Sequence, residues 1–169
     1  DLILRQNIIV PLQIIYDKSN DKFNPSKGYR LFLDNDWYHG DNLANILKPK
    51  ATIYFPLWKD FVLASWFERG WISTFNKNKL PYNRLFYSGG VNSLRGYGFQ
   101  LAGSLDYDNT PLGGKHISLG GTEIRFPLKK NWNAVTFVEG SKLDRQKSFY
   151  GYGAGLRYNS KIGPVRFDV

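Results

Sequence analysis

Thr122-Glu123-Ile124-Arg125-Phe126 alternates without a break. In an extended chain successive side chains point to opposite faces, so Thr122, Ile124 and Phe126 share one side and Glu123 and Arg125 the other. The same period recurs in both directions along the chain. Tyr29, Leu31 and Leu33 oppose Arg30, Phe32, Asp34 and Asp36. Tyr150, Tyr152, Ala154, Leu156 and Tyr158 oppose Gly151, Gly153, Gly155 and Arg157; Val165, Phe167 and Val169 oppose Arg166 and Asp168. Roughly eight strands follow from this period, over 5–16, 28–37, 48–56, 61–72, 117–127, 133–139, 149–158 and 163–169, with no sustained helical period. The face assignment is ambiguous only in 61–72, where Trp66 and Glu68 share a side.

The ends of these strands carry turn chemistry. Phe55-Pro56-Leu57 and Phe126-Pro127-Leu128 place proline where a strand leaves its ladder, and Trp58 and Trp132 stand beside those exits. The connectors 56–60, 127–132 and 159–164 read as tight, whereas 38–47, 73–116 and 140–148 read as long. Short turns on one side and long loops on the other is the layout of an outer-membrane barrel, with tryptophan at the headgroup level. The rival is a soluble antiparallel sandwich. Two features favour the barrel: polar faces of mixed charge (Arg30, Asp34, Asp36, Glu123, Arg125, Glu139, Arg157, Arg166, Asp168), which suit a wet lumen, and apolar faces rich in Tyr, Phe and Trp.

Composition narrows the classes. The 169 residues contain no cysteine, which removes disulfides, thiolate metal sites and cysteine nucleophiles. They also contain no methionine, and no signal-peptide pattern opens the chain, which reads as a segment of a longer protein. No apolar run is long enough for a transmembrane helix, and mean hydropathy is negative, both compatible with membrane strands. The net charge of +9 suits nucleic acid, anionic lipid or an acidic partner. The cations are scattered rather than clustered, which weakens nucleic acid.

One stretch is not a strand. Tyr87-Ser-Gly-Gly-Val-Asn-Ser-Leu-Arg-Gly-Tyr-Gly-Phe99 leads in on Gly89-Gly90, holds Arg95 among small residues and follows it with Gly96 and Tyr97. This reads as a loop folded onto something acidic, and Glu123 and Glu139 stand ready on strands. An arginine fork suits two carboxylates, and a nearby cation keeps both ionised, as in a structural ion pair rather than a catalytic dyad.

Other motifs are weaker. Arg95 to Ala102 imitates an RNA-binding strand but lacks its later Val and final aromatic, and no helices accompany it. Gly151-Tyr-Gly-Ala-Gly155 lacks the following helix of a dinucleotide fingerprint; its glycines read as space for a loop. Gly113-Gly-Lys115 precedes His116, not Ser or Thr, and is no phosphate loop. His39 and His116 lack metal-ligand spacing, and Asp106-Tyr-Asp108 reads as solvated loop carboxylates. No Ser-His-Asp arrangement, catalytic residue, metal or cofactor is indicated.

Taken in order, the motifs resemble the carboxy-terminal barrel of the outer-membrane protein assembly factors of the BamA and TamA type. Tyr16 to Gly28 is similar to the family's acidic turn ending Pro-x-x-Gly. Pro81 to Tyr97 resembles its arginine loop, Gly120 to Phe126 its next strand, and Phe137-Val-Glu-Gly140 its Phe-x-Asp-x-Gly, with Glu139 for Asp and Gly140 one place early. Tyr152 to Arg157 and Gly163 to Asp168 resemble late strands. The resemblance implies an all-β transmembrane barrel of about sixteen strands, of which 1–169 supply roughly eight, with the periplasmic POTRA domains and first strands outside the chain. It implies that the Arg95-Gly96-Tyr97 loop enters the lumen, with Arg95 on Glu139 and Glu123 and Tyr97 on the wall. It implies a non-enzymatic, cofactor-free insertase or translocase of a Gram-negative outer membrane. Its partners would be the lipid bilayer, unfolded outer-membrane or autotransporter clients and periplasmic or inner-membrane accessory proteins, with no nucleic acid. The short loops lean toward TamA. Alternatives are a two-partner-secretion transporter of one exoprotein and a soluble basic β-domain that binds nucleic acid.

Overall fold

The computed structural model describes residues 7–40, 43–74, 80–129, 131–160 and 163–169. Eight strands follow in chain order: β1 (Asn7–Asp17), β2 (Gly28–Gly40), β3 (Ala44–Pro56), β4 (Val62–Thr74), β5 (His116–Pro127), β6 (Trp132–Leu143), β7 (Ser148–Ser160) and β8 (Gly163–Asp168). They pair in that same order as one sheet, with every neighbour antiparallel. The all-β antiparallel architecture expected from the alternation is what the chain adopts. Residues 5 and 6, expected in the first strand, lie outside the described residues.

Each ladder keeps a single register from end to end, so a residue's face follows from parity alone. Thr52, Trp66, Gly121, Glu139 and Gly151 stand directly opposite one another across five strands. That row resolves β4: Trp66 and Glu68 belong with the charged positions, and Glu68 meets Lys50 of β3 at 3.3 Å. We call this side the inner face. The opposite, outer face exposes an apolar band that includes Leu12, Ile14, Leu31, Ile53, Phe55, Phe67, Val138, Tyr152, Leu156 and Phe167; Tyr152 is 86% exposed. Apolar surface on that scale is not left in water by a soluble domain. At the short-turn end Trp132 lies against Tyr158, ring centres 5.0 Å apart.

The expected division into short turns and long loops needs correction. The β2–β3 and β6–β7 connections, read as long over 38–47 and 140–148, are only 41–43 and 144–147. The strands continue because their inner sides are covered. Tyr38, Ala44 and Ile46 pack with Ile72, Leu80 and Leu85, while Leu143 packs with Ile117 and Leu119. Covering makes continued extended structure favourable where the exposed chain would turn. What covers both groups is the long β4–β5 connection, whose described part runs from Leu80 to Lys115. Phe86 lies against both clusters. It fits because Gly70 on β4 has no side chain; a Cβ there would come within 2.5 Å of the Phe86 ring.

Candidate functional site

Within the long loop, Gly90 is the organising position. Its N–H donates to the Tyr97 carbonyl at 3.0 Å, and its own carbonyl accepts from Leu94 N–H at 3.0 Å. Ser88 carbonyl accepts from Ala102 N–H, and the Ser88 hydroxyl meets that of Ser141 on β6 at 2.5 Å. The resulting knot presents Leu94 and Arg95 to the inner face. Leu94 is fully buried. Gly96 has φ +85° with open space around it, so glycine serves the backbone conformation there rather than clearance.

Arg95 is the centre of the site. Its Nε and Nη2 donate to Glu139 Oε1 at 2.9 and 2.5 Å, and its backbone N–H donates to Glu139 Oε2 at 3.0 Å. Nη1 donates to Asp168 Oδ2 at 2.8 Å and lies 3.5 Å from Glu123 Oε2. The guanidinium also lies over the Phe137 ring, 3.4 Å from its centre, which places it against a π face as well as its acids. Glu123 accepts from Arg125 Nε at 2.9 Å and from Arg157 Nη2 at 3.1 Å. Arg157 also pairs with Asp168 through both terminal nitrogens. Three arginines and three carboxylates from the loop, β5, β6, β7 and β8 thus form one neutral network. Glu123 and Glu139 are each 6% exposed and Arg157 4%. Buried charge of this kind persists only when every member is paired.

The glycines of β7 explain how five elements converge. A Cβ at Gly151 would overlap the Arg95 carbonyl oxygen, one at Gly153 would enter the Phe137 ring, and one at Gly155 would overlap the Asp168 carboxylate. Gly151-Tyr-Gly-Ala-Gly155 is therefore a bare track on the inner face, over which Arg95 and Asp168 reach each other. Tyr97 sets its ring edge-on to Phe149, centres 5.6 Å apart, and its hydroxyl donates to the Tyr150 carbonyl at 3.3 Å. Gly89 and Gly90 both have positive φ within the knot. Gly140 lies elsewhere: its bare side faces outward beneath Tyr150, not toward the loop.

Asp168, Arg157 and Arg125 join the network without having been singled out as partners of the loop. Their parity marks them as inner-facing, but which of the inner charges Arg95 reaches depends on the glycine track. The remaining motifs are accounted for by local structure. Asp106 Oδ1 accepts from the N–H groups of Asp108 and Thr110, and His116 meets Asp144 at 3.1 Å. Among the described residues no group of His, Cys, Asp or Glu is disposed to hold a metal. Beside Arg95 lies a cavity of about 740 Å³, bounded by Lys50, Trp66, Glu123, Arg125 and Arg166. On its short-turn side the β1–β2 turn crosses over, and Arg125 donates to the Pro25 carbonyl at 3.2 Å.

The fold and sequence have clear relatives. BamA from Haemophilus ducreyi, in a crystal structure lacking POTRA domains 1–3, superposes with a TM-score of 0.81 at 19% identity, over 95% of this chain and 38% of that one. Outer envelope protein 80 of the Arabidopsis thaliana chloroplast is 29% identical over 106 residues, 53% of this chain and 13% of that protein. The chain thus spans well under half the length of either relative. The Omp85 superfamily domain matches residues 4–169. With its apolar outer face and its loop-bearing charged inner face, the chain belongs to the Omp85 superfamily of integral outer-membrane β-barrel proteins.

Proposed function

We propose that this chain forms part of an outer-membrane barrel that inserts or translocates other proteins, acting without catalytic chemistry or a cofactor. Its clients would be unfolded outer-membrane proteins or autotransporters. The sheet would close with further strands, since among the described residues no strand pairs with the outer edges of β1 and β8, and lipid cannot satisfy unpaired backbone groups. The inner face then becomes a wet lumen, and accessory proteins would meet it on the periplasmic, short-turn side.

The observation that carries this reading is the Arg95 network. A loop is pinned by a fully paired ionic lock to β5, β6 and β8, buried at Glu123, Glu139 and Arg157, on the side away from the apolar band. Such a lock suits a brace. It holds the lumen side rigid while the lipid-facing wall and the strand edges remain available to a client. No bond is made or broken in this scheme; the work is binding, exclusion of lipid and lowering of the barrier to strand insertion.

The test is reconstitution of the whole protein in liposomes with an unfolded barrel client, followed by the client's folding rate. Arg95→Ala is expected to slow client assembly several-fold while the assembler itself remains inserted. An unchanged rate in an inserted variant would overturn the brace.

A further inference from the structure

The outer face carries a feature that the brace does not use. Among the described residues, the outward positions of the eight strands hold just two formal charges, Arg69 on β4 and Lys142 on β6, and both are positive. They are not scattered. Arg69 stands directly opposite Ser118 of β5, which stands directly opposite Lys142, so one transverse row reads Arg69, Ser118, Lys142. Adjacent strands are about 4.8 Å apart, which sets the Cα atoms of Arg69 and Lys142 roughly 10 Å apart, with Ser118 between them.

Neither cation meets a carboxylate among the described residues. Arg69 Nη1 donates to Ser118 Oγ at 2.8 Å and its guanidinium lies 5.6 Å from the centre of the Trp71 ring, with no carboxylate in contact among the described residues. Lys142 is exposed and carries no ion pair among the described residues. The Ser118 hydroxyl, having accepted from Arg69, keeps its own proton to donate outward.

The row also sits at a particular depth. Trp132, at the short-turn end of β6, and Lys142 are separated by ten residues of one strand. At about 3.3 Å per residue and a tilt of about 40–45°, that is roughly 25 Å along the membrane normal, the height of a barrel's apolar band. Lys142 therefore marks the boundary on the long-loop side, where headgroups begin; the same tilt slopes the row, so Arg69, two strands away, stands within roughly 6–7 Å of that level. Below them, Phe67, Gly120, Gly140 and Tyr150 form the next outward row, in which the Phe67 ring leans toward Gly120 and the Tyr150 ring toward Gly140. On the other side of Phe67 an apolar hollow opens over Ala51, edged by Leu31, Pro49 and Arg69.

We infer that Arg69, Ser118 and Lys142 form a binding site for the phosphoryl headgroup of an anionic lipid in the leaflet on the long-loop side, with its acyl chains lying against the Phe67 and Tyr150 rings and in the hollow over Ala51. Charge complementarity carries the choice: a planar guanidinium, a hydroxyl donor and an ammonium stand in one row, as an anion requires, and an outer face whose described strand positions hold no other charge receives hydrocarbon. The site is independent of the brace and of client assembly, so either reading can fail without the other.

The experiment uses the whole protein in detergent micelles, with retained lipid measured by native mass spectrometry against bis-phosphorylated lipid A and against the same glycolipid with its phosphates removed. The wild type is expected to hold the phosphorylated form roughly tenfold more tightly, and Arg69→Gln/Lys142→Gln to lose that preference. Lys27→Gln/Lys129→Gln, which removes the same charge at the opposite end, is expected to keep it. If the double variant fails to fold, Lys142→Gln alone serves, because its side chain makes no ion pair or hydrogen bond within the described residues; it is expected to lose part of the preference. Equal retention of the two lipids by the wild type, or an unchanged preference in the folded row variant, would overturn the site.

Discussion

Arg95 holds Glu139 with its backbone as well as its side chain: the guanidinium donates twice to Oε1, and the amide N–H of the same residue donates to Oε2. The carboxylate therefore fixes the position of the loop backbone and the direction of the side chain together. Glu123, by contrast, lies 3.5 Å from Arg95 and is already engaged by Arg125 and Arg157.

This asymmetry separates the two acids. In a double-mutant cycle, Arg95→Ala with Glu139→Gln should show a coupling of about 2–3 kcal/mol, and Arg95→Ala with Glu123→Gln below about 1 kcal/mol. Urea titration of the refolded protein reads both. Equal couplings would mean that Arg95 is shared evenly by the acids.

Arg95→Ala leaves Glu139 buried without its cation, at a cost of order 3 kcal/mol if the site is dry. The middles of the strands should still form, because their ladders are made strand to strand; only the ends that the loop covers, around Tyr38, Ala44 and Leu143, should loosen with it. Limited proteolysis is expected to cut between residues 80 and 115 in the variant and not in the wild type. Arg95→Lys should fall between, since an ammonium cannot reproduce the fork that reaches Glu139 and Asp168 together.

Gly151→Ala and Gly140→Ala should differ sharply although both lie in strands. The first drives a methyl into the Arg95 carbonyl, a backbone atom that can retreat only by lifting the loop; destabilisation of about 1–3 kcal/mol and loss of loop protection are expected. The second comes no closer than 3.3 Å to the Tyr150 ring on the outer face and should leave loop proteolysis unchanged.

The β1–β2 turn should respond to acid. Asp21 Oδ1 accepts from the N–H groups of Asn24 and Phe23, each at 2.7 Å, and these bonds hold its carboxyl below the usual range, with Arg30 adding a smaller pull. A depressed folded value means the contribution is complete above the unfolded pKa of about 3.9 and is lost as pH falls through the folded one. Amide exchange at Phe23 and Asn24 is expected to quicken below about pH 4 beyond the intrinsic trend. In Asp21→Ala the acid-dependent part should vanish.

Much of the fold was legible because a strand's two faces are written in a period of two. The run from Thr122 to Phe126 reports its faces without any knowledge of its neighbours, and the unbroken registers let that parity extend across all eight strands. Strand ends were less legible. The residues around Tyr38, Ala44 and Leu143 stay extended because the long loop covers them, and a loop's resting place has no local signature. The outward row of Arg69 and Lys142 shows the same limit: each is an isolated cation until β5 sets them in line.

Sequence alone determined the alternation, the turns at proline and the presence of an arginine held among glycines, since each is a property of neighbouring residues. Only the tertiary structure decided which acids that arginine meets. Asp168 lies 73 positions from Arg95, and they touch because Gly151 and Gly155 leave β7 bare between them. Contacts across that distance depend on how strands register and where space is left. Those are quantities of the assembled sheet and not of any one stretch of chain.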